Sequence, residues 1–270
     1  SGVDVTLGAL TINSGGTVTA YRQLTVLGAT NITGTINFGS TNGTVRNMIF
    51  TGAVTLNSGA AWNETTNGAA ATFSFGNSFT NNATTFTAQN TTHNFTGATM
   101  TISGSTATII PTVTFTGAYT NSGTLTVATL LTVTGTTLTN NGTITASTAL
   151  SGTGGVTQGT TGTLNLGRTS GITTLTATAS GNTVNYIGAA QTVKATTYSN
   201  LIFSGSFAKT MSAGTSVTGN LSIAPTGTAT ASIATDQNLG VNTLTLGGLG
   251  RINGTWGSTT ATSATYQNNT

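Results

Sequence analysis

The chain has 270 residues, enough for one or two ordinary domains with a sizeable core, yet only 3% of them are charged, against roughly a quarter in a soluble domain. The six cations, Arg22, Arg46, Arg168, Lys194, Lys209 and Arg251, are scattered against three acids, so a pI near 9.6 brings no concentrated basic surface and argues against nucleic acid as a partner. The absence of cysteine excludes disulfides and thiolate metal sites and leaves the redox compartment open, and no apolar run reaches the ~18 residues of a membrane-spanning helix.

What fills the chain instead is Thr, its most frequent residue, together with Gly, and only Pro111 and Pro225 interrupt hydrogen-bonded ladders. Disordered chains are rich in charge and poor in β-branched residues, so this composition points to strands. The sequence begins at Ser1 without Met, as a processed, exported chain does and as a fragment also does. Ten Asn-x-Ser/Thr sequons, at Asn31, Asn42, Asn63, Asn82, Asn90, Asn94, Asn141, Asn220, Asn253 and Asn268, are glycosylation candidates, although a chain so rich in Asn and Thr makes many by chance.

The N-terminal segment reads as strand at once, with Val3, Val5 and Leu7 alternating with polar residues, then Leu10 and Ile12, and no capping helix. Corner glycines follow at Gly15, Gly34 and Gly59, with Asn81 and Asn82 filling one corner, and then at Gly104, Gly123, Gly142 and Gly162. The phrase Phe-Thr-Gly-Ala recurs at Phe50, Phe95 and Phe115, which predicts an internal aromatic ladder with a glycine bend after each ring; a binding cleft is the alternative.

Between Trp62 and Asn94 the pattern loosens and carries Phe73, Phe75, Phe79 and Phe86 with the only Glu, Glu64, and the only His, His93. The repeat turns Trp62 outward there, so a widened coil or a protruding loop is expected, with Trp62, Phe79, Phe86 and His93 as a partner-contact region.

The clearest statement of the repeat is YTNSGTLTVA at 119–128, which is rewritten as LTNNGTITAS at 138–147. Each copy joins an Asn-x-Gly corner to strict alternation, with Leu125 and Val127 on one face and Thr124 and Thr126 on the other. A short strand, a corner and a period of about 20 residues predict an all-β parallel β-solenoid, each coil stacked on the last. About 13 coils at ~4.8 Å per stacked strand give a rod of roughly 60 Å. Near Arg168 the period lengthens, which divides the chain into regular repeats over 1–170 and a less regular β part, solenoid or sandwich-like, over 171–270.

In that second part, YIGAAQTVKATTYSNLIFSGS at 186–206 and INGTWGSTTATSATYQN at 252–268 resemble modules of very large Thr/Gly-rich bacterial surface proteins of the adhesin and β-solenoid type. The likeness covers roughly the last third of the chain; the rest matches only in style. It implies an exported, repetitive, non-catalytic protein, fibrous or adhesive, and carries no binding residues across. The closing module of such proteins continues for another strand, so this chain is expected to be a fragment or to borrow that strand from a neighbour.

Chemistry is sparse. Asp4, Glu64 and Asp236 stand far apart in a stack where only adjacent coils touch, whereas solenoid lyases and hydrolases gather several carboxylates in one groove. Glu64 and His93 are the one pair placed to approach, and a structural role is expected. There is no G-x-S-x-G elbow, phosphate loop or calcium repeat, and no cofactor or metal is expected. Thr124/Thr126 over Thr143/Thr145 resemble a water-ordering face, which raises ice binding, but Thr is spread over nearly every segment and serves equally as an uncharged strand former.

Neither terminus carries the charges, Pro or helix that guard open sheet edges. The expectation is therefore an extracellular structural protein that polymerises head to tail, with Val3, Val5, Leu7, Leu10 and Ile12 as the assembly strand. An adhesive module recognising cell-surface glycans is the alternative.

Overall fold

The computed structural model describes residues 3–39, 46–64, 72–233 and 239–251, with the short strands Trp256–Gly257 and Tyr266–Gln267. The described residues form strands without a helix, and these wind into a parallel β-solenoid of about 11 turns. The expected count of about 13 is too high because several windings are longer than the repeat predicts.

Each winding lays one strand on each of three panels. The first coil sets the plan with β1 (Val5–Leu7), β2 (Leu10–Ile12) and β3 (Thr17–Ala20). The first panel rises from β1 through Leu24–Val26, Asn47–Phe50, Thr72–Phe75 and Thr92–Phe95. The second rises from β2 through Thr30–Ile32, Val54–Leu56 and Phe79–Asn81. The third rises from β3 through Thr35–Phe38, Ala61–Glu64 and Thr85–Thr87. Higher up, long strands such as Thr124–Val133 and Asn200–Met211 bend around a corner and serve two panels at once. The parallel ladders cross residue 170 without a break, from Ala149–Gln158 to Gly171–Thr176 and from Thr163–Leu166 to Thr183–Tyr186.

Alternation decides what lies inside. In Thr124–Val127 the two Thr face out while Leu125 and Val127 are fully buried, and the next winding repeats this with Thr143, Ile144, Thr145 and Ala146 in register. The Phe-Thr-Gly-Ala phrases place Phe95 and Phe115 directly above one another with ring centroids 5.0 Å apart, as the ladder reading requires. Phe75 inserts as the rung between Phe50 and Phe95, stacked 5.7 Å from the first and 5.0 Å from the second. Offset stacking of this kind adds roughly 0.5–1.5 kcal/mol per pair beyond the area buried.

The corners hold a second kind of ladder. Asn121 and Asn140, the first Asn of each corner phrase, turn inward and are fully buried. The Asn121 amide donates to Asn140 Oδ1 at 2.8 Å, and the Asn140 amide donates to Gln158 Oε1 at 2.9 Å and to the Thr163 carbonyl at 2.9 Å. A buried amide donor is costly to leave unpaired, and here the Asn121 and Asn140 amides each donate to the winding above. The two prolines sit where the ladder shifts register, Pro111 between Ile110 and Thr112 and Pro225 beside the break opposite Phe203 and Gly205, so neither is asked for a ladder N–H.

The glycine after each ladder Phe is there for closeness. A methyl group placed on Gly117 would collide with the Gly97 carbonyl of the winding below, although Gly117 does not have a positive φ. Gly117→Ala is therefore expected to destabilise the stack by about 1–3 kcal/mol, as overpacking does. Gly8→Ala, where an added methyl meets nothing within 4 Å, should be neutral. Urea unfolding of the two variants beside wild type checks the pair.

Candidate functional site

The windings around Trp62 are longer in sequence than the repeat predicts, and the outward placement of Trp62 does not hold. Here one rung is far in sequence from the next, with Thr35 pairing Ala61 and Met48 pairing Phe73, whereas higher up Thr108 already pairs Leu125. Trp62 lies inside these longer windings. It stands over Ile36 and under Phe86, with its ring 4.5 Å from Phe38 and 5.5 Å from Phe50. Trp62, Phe79 and His93 are fully buried and offer no contact surface, and Phe86 is half-buried. The alternation places Trp62 and Glu64 inward together, and a register read from the corner glycines misses this because the insertions around it shift the count.

Glu64 and His93 do meet. Glu64 Oε1 accepts the Trp62 indole N–H at 2.8 Å, Oε2 accepts the Gln89 backbone N–H at 2.8 Å, and both oxygens lie 3.1 Å from His93 Nε2. His93 Nδ1 lies 3.1 Å from the Thr91 carbonyl and the ring stacks on Phe73 at 5.1 Å. Both ring nitrogens thus face oxygen atoms of the core. Among the described residues, the contacts of the pair are to the core that encloses it, and the arrangement packs the interior. Among the described residues, no group of three or more His, Cys, Asp or Glu is placed to hold a metal ion.

A second buried charge has no counterpart in the sequence reading. Lys209 is fully buried, and its ammonium donates to the carbonyls of Gly188 at 2.6 Å, Ala189, and Ser206 at 3.0 Å. Burial holds it below the ordinary lysine range. The run of corner carbonyls that it gathers is legible only once the coils are stacked.

Three tyrosines are enclosed as well. Burial pushes the Tyr119 phenol up to about 12, and it pushes Tyr186 and Tyr198, whose hydroxyls lie 3.0 Å apart, in the same direction.

The outer faces carry rows of hydroxyls and amides. On the second panel Thr101, Thr120, Thr139, Thr157 and Thr176 stand in register, one to a winding. On the third panel Thr124/Thr126 and Thr143/Thr145 form two rungs, and then Asn165 and Asn185 take the second position. These side chains bond to one another between windings, as Asn165 does to Thr145 at 3.1 Å and Thr80 to Ser103 at 3.1 Å. Of the sequons, Asn31, Asn90 and Asn141 are exposed, while Asn63, Asn82, Asn94 and Asn220 are half-buried; Asn42, Asn253 and Asn268 lie outside the described residues.

The lower end of the stack is the place where apolar interior meets solvent. β1, β2 and β3 each have a hydrogen-bonded neighbour on one side only among the described residues. Val5 and Val18 occupy inward positions, in register with Leu24 and Ile36, which are buried, yet they are 41% and 37% exposed. Val3 is 78% exposed, Leu7 is half-buried, and Leu10 and Ile12 are buried, so the expected assembly residues do lie at this end, but not all are free. Val18 belongs with them and is hidden in the sequence by the ordinary look of its strand.

The upper end departs from the expectation of an unguarded edge. The strand Thr243–Leu246, the last of the third panel among the described residues, is covered on its far side by Leu249–Gly250, which returns antiparallel to it. No protein-family model, curated protein or solved structure matches this chain.

Two outcomes are expected from these buried groups. Glu64→Ala leaves the Trp62, Gln89 and His93 donors without their acceptor and should lower stability by about 3–5 kcal/mol in urea unfolding, as breaking a buried pair does. The raised phenols are neutral in the fold and ionise in the unfolded chain above the ordinary tyrosine value of 10.0, so their contribution is complete below pH 10 and is lost as pH rises toward about 12. Phenolate absorbance and circular dichroism should therefore change together in that alkaline window.

Proposed function

We propose that this chain is an extracellular structural protein, a rod-shaped subunit of a surface filament built by end-to-end strand pairing between protomers. The observation that carries the reading is the exposure of Val5 and Val18 at inward positions, above which the same columns are sealed by Leu24 and Ile36. One more winding of the same phrase laid beneath β1, β2 and β3 would cover both side chains and satisfy the free backbone groups along those strands. If the winding comes from another copy, the contact joins unlike ends, does not close on itself and propagates into a fibre.

Other features support an exterior structural role. The surface is dressed with Thr, Asn and Ser in place of charge, and three sequons among the described residues are exposed. The phrases at 186–206 and 252–268 resemble those of exported surface proteins. The adhesin alternative loses its residues, since Trp62, Phe79 and His93 are interior. For ice binding, the Thr-x-Thr pattern of the third panel gives way to Thr-x-Asn after two windings. The hydrogen bonds between rungs give those rows a stabilising part.

Purified protein viewed by negative-stain electron microscopy over a concentration series should give rods of constant width whose length grows with concentration. Val18→Asp should leave the melting of the subunit nearly unchanged and remove the long rods. Single subunits of wild type at every concentration would refute the filament reading.

A further inference from the structure

Among the described residues, the upper end of the third panel holds the single antiparallel pairing of the sheet that contains β1 and the long corner strands, and that pairing lies across the edge that a following winding would use. The chain runs up the panel through Asn200–Met211, Asn220–Ile233 and Thr243–Leu246, every step parallel. It then reverses at Gly247 and Gly248, both at positive φ (56° and 77°), and comes back over its own edge. Thr245 pairs with Gly250 and Leu246 with Leu249, and the Arg251 backbone N–H donates to the Leu244 carbonyl at 2.9 Å. This cover is slight, because Leu249 is 65% exposed and the inward Leu244 and Leu246 stay half-buried, whereas Leu221 below them is buried.

The covered strand has the composition of a working rung. It reads Thr-Leu-Thr-Leu, and β3 at the opposite end of the molecule reads Thr-Val-Thr-Ala. Within the stack, Thr-Leu-Thr-Val at Thr124–Val127 already carries Thr-Ile-Thr-Ala at Thr143–Ala146, with Thr on Thr and apolar on apolar at every position. Laid in that register, Val18 of a second copy would stand on Leu244 and Ala20 on Leu246, which pairs one half-exposed inward row with the other. No charge on either strand opposes the approach.

We propose that the Thr243–Leu246 edge is the docking edge for β3 of a second copy, and that the Leu249–Gly250 hairpin is a latch that occupies it until the copy arrives. This deepens the filament reading and rests on it: it names the strand on each side of the junction and makes assembly depend on displacing the latch. The latch uses two residues and a double-glycine reversal, whereas a new winding offers a full strand together with its inward side chains. The incoming strand therefore wins the edge once it is present at sufficient concentration.

The test uses the whole chain and a fluorescein-labelled peptide of residues 11–20, which contains β3. Gly247→Val/Gly248→Val makes the reversal costly, because β-branched residues resist positive φ, and it should bind the peptide at least ~10-fold more tightly than wild type in fluorescence anisotropy. A peptide carrying Val18→Asp should not be captured. In wild type saturated with peptide, the Arg251 amide should lose its protection from hydrogen exchange, a readout that does not depend on the variant folding. Equal capture by wild type and variant, capture by neither, or an Arg251 amide that stays protected under saturating peptide would overturn the latch. Peptide capture without filaments in the microscope would overturn the filament reading alone, and filaments without capture would overturn the latch alone.

Discussion

Hydrogen bonding between the backbones of successive windings fixes their separation at about 4.8 Å, and everything else in this molecule is fitted to that distance. A side chain at an inward position meets its counterpart one winding away at that spacing, so like residues stack into rows: rings at Phe50, Phe75, Phe95 and Phe115, and amides at Asn121, Asn140 and Gln158. At the corners the same separation leaves no room for a Cβ, which is why Gly97 and Gly117 follow their Phe residues. Thr suits the outside for the same reason. It is a good strand former, and its hydroxyl reaches a neighbour on the adjacent rung while bringing no charge to repel one.

Buried polarity is handled differently along the rod. In the wide windings Glu64 and His93 meet as partners and draw Trp62 and Gln89 around them. Higher up, Lys209 gathers three corner carbonyls, with no acid beside it among the described residues. Both arrangements satisfy the charged group through hydrogen bonds that the winding geometry supplies, as a buried charge requires. Among the described residues, Glu64, His93 and Lys209 are enclosed by the core, and the outward rows of the panels are largely hydroxyl and amide.

Much of this is legible in the residues. The alternation of Leu125 and Val127 with Thr124 and Thr126 carries the inward and outward assignment directly, and the rewriting of the same phrase at 138–147 carries the register, since both depend on local spacing. The Phe-Thr-Gly-Ala repeats carry the ring ladder, although Phe75, set in a different phrase, does not show itself as the missing rung. Sequence reasoning fails where register depends on loop length. A count from the corner glycines turns Trp62 outward, and the long step from Thr35 to Ala61 invalidates that count. The Lys209 nest and the returning hairpin escape because each depends on backbone groups brought together from separate windings, which side-chain identity does not encode.

The loop between partners is short at Thr108 and Leu125 and long at Thr35 and Ala61, while the three panels stay in line. The parallel register survives that difference, and in the regular rungs Thr stands over Thr and apolar over apolar. Where neighbouring windings carry the same pattern, as Thr124–Val127 and Thr143–Ala146 do, a gene for such a protein can gain or lose a winding by unequal recombination between its repeats, whereas the windings tied through Glu64 and His93 are held to their place. Length in this architecture is a heritable quantity that varies in steps of one turn.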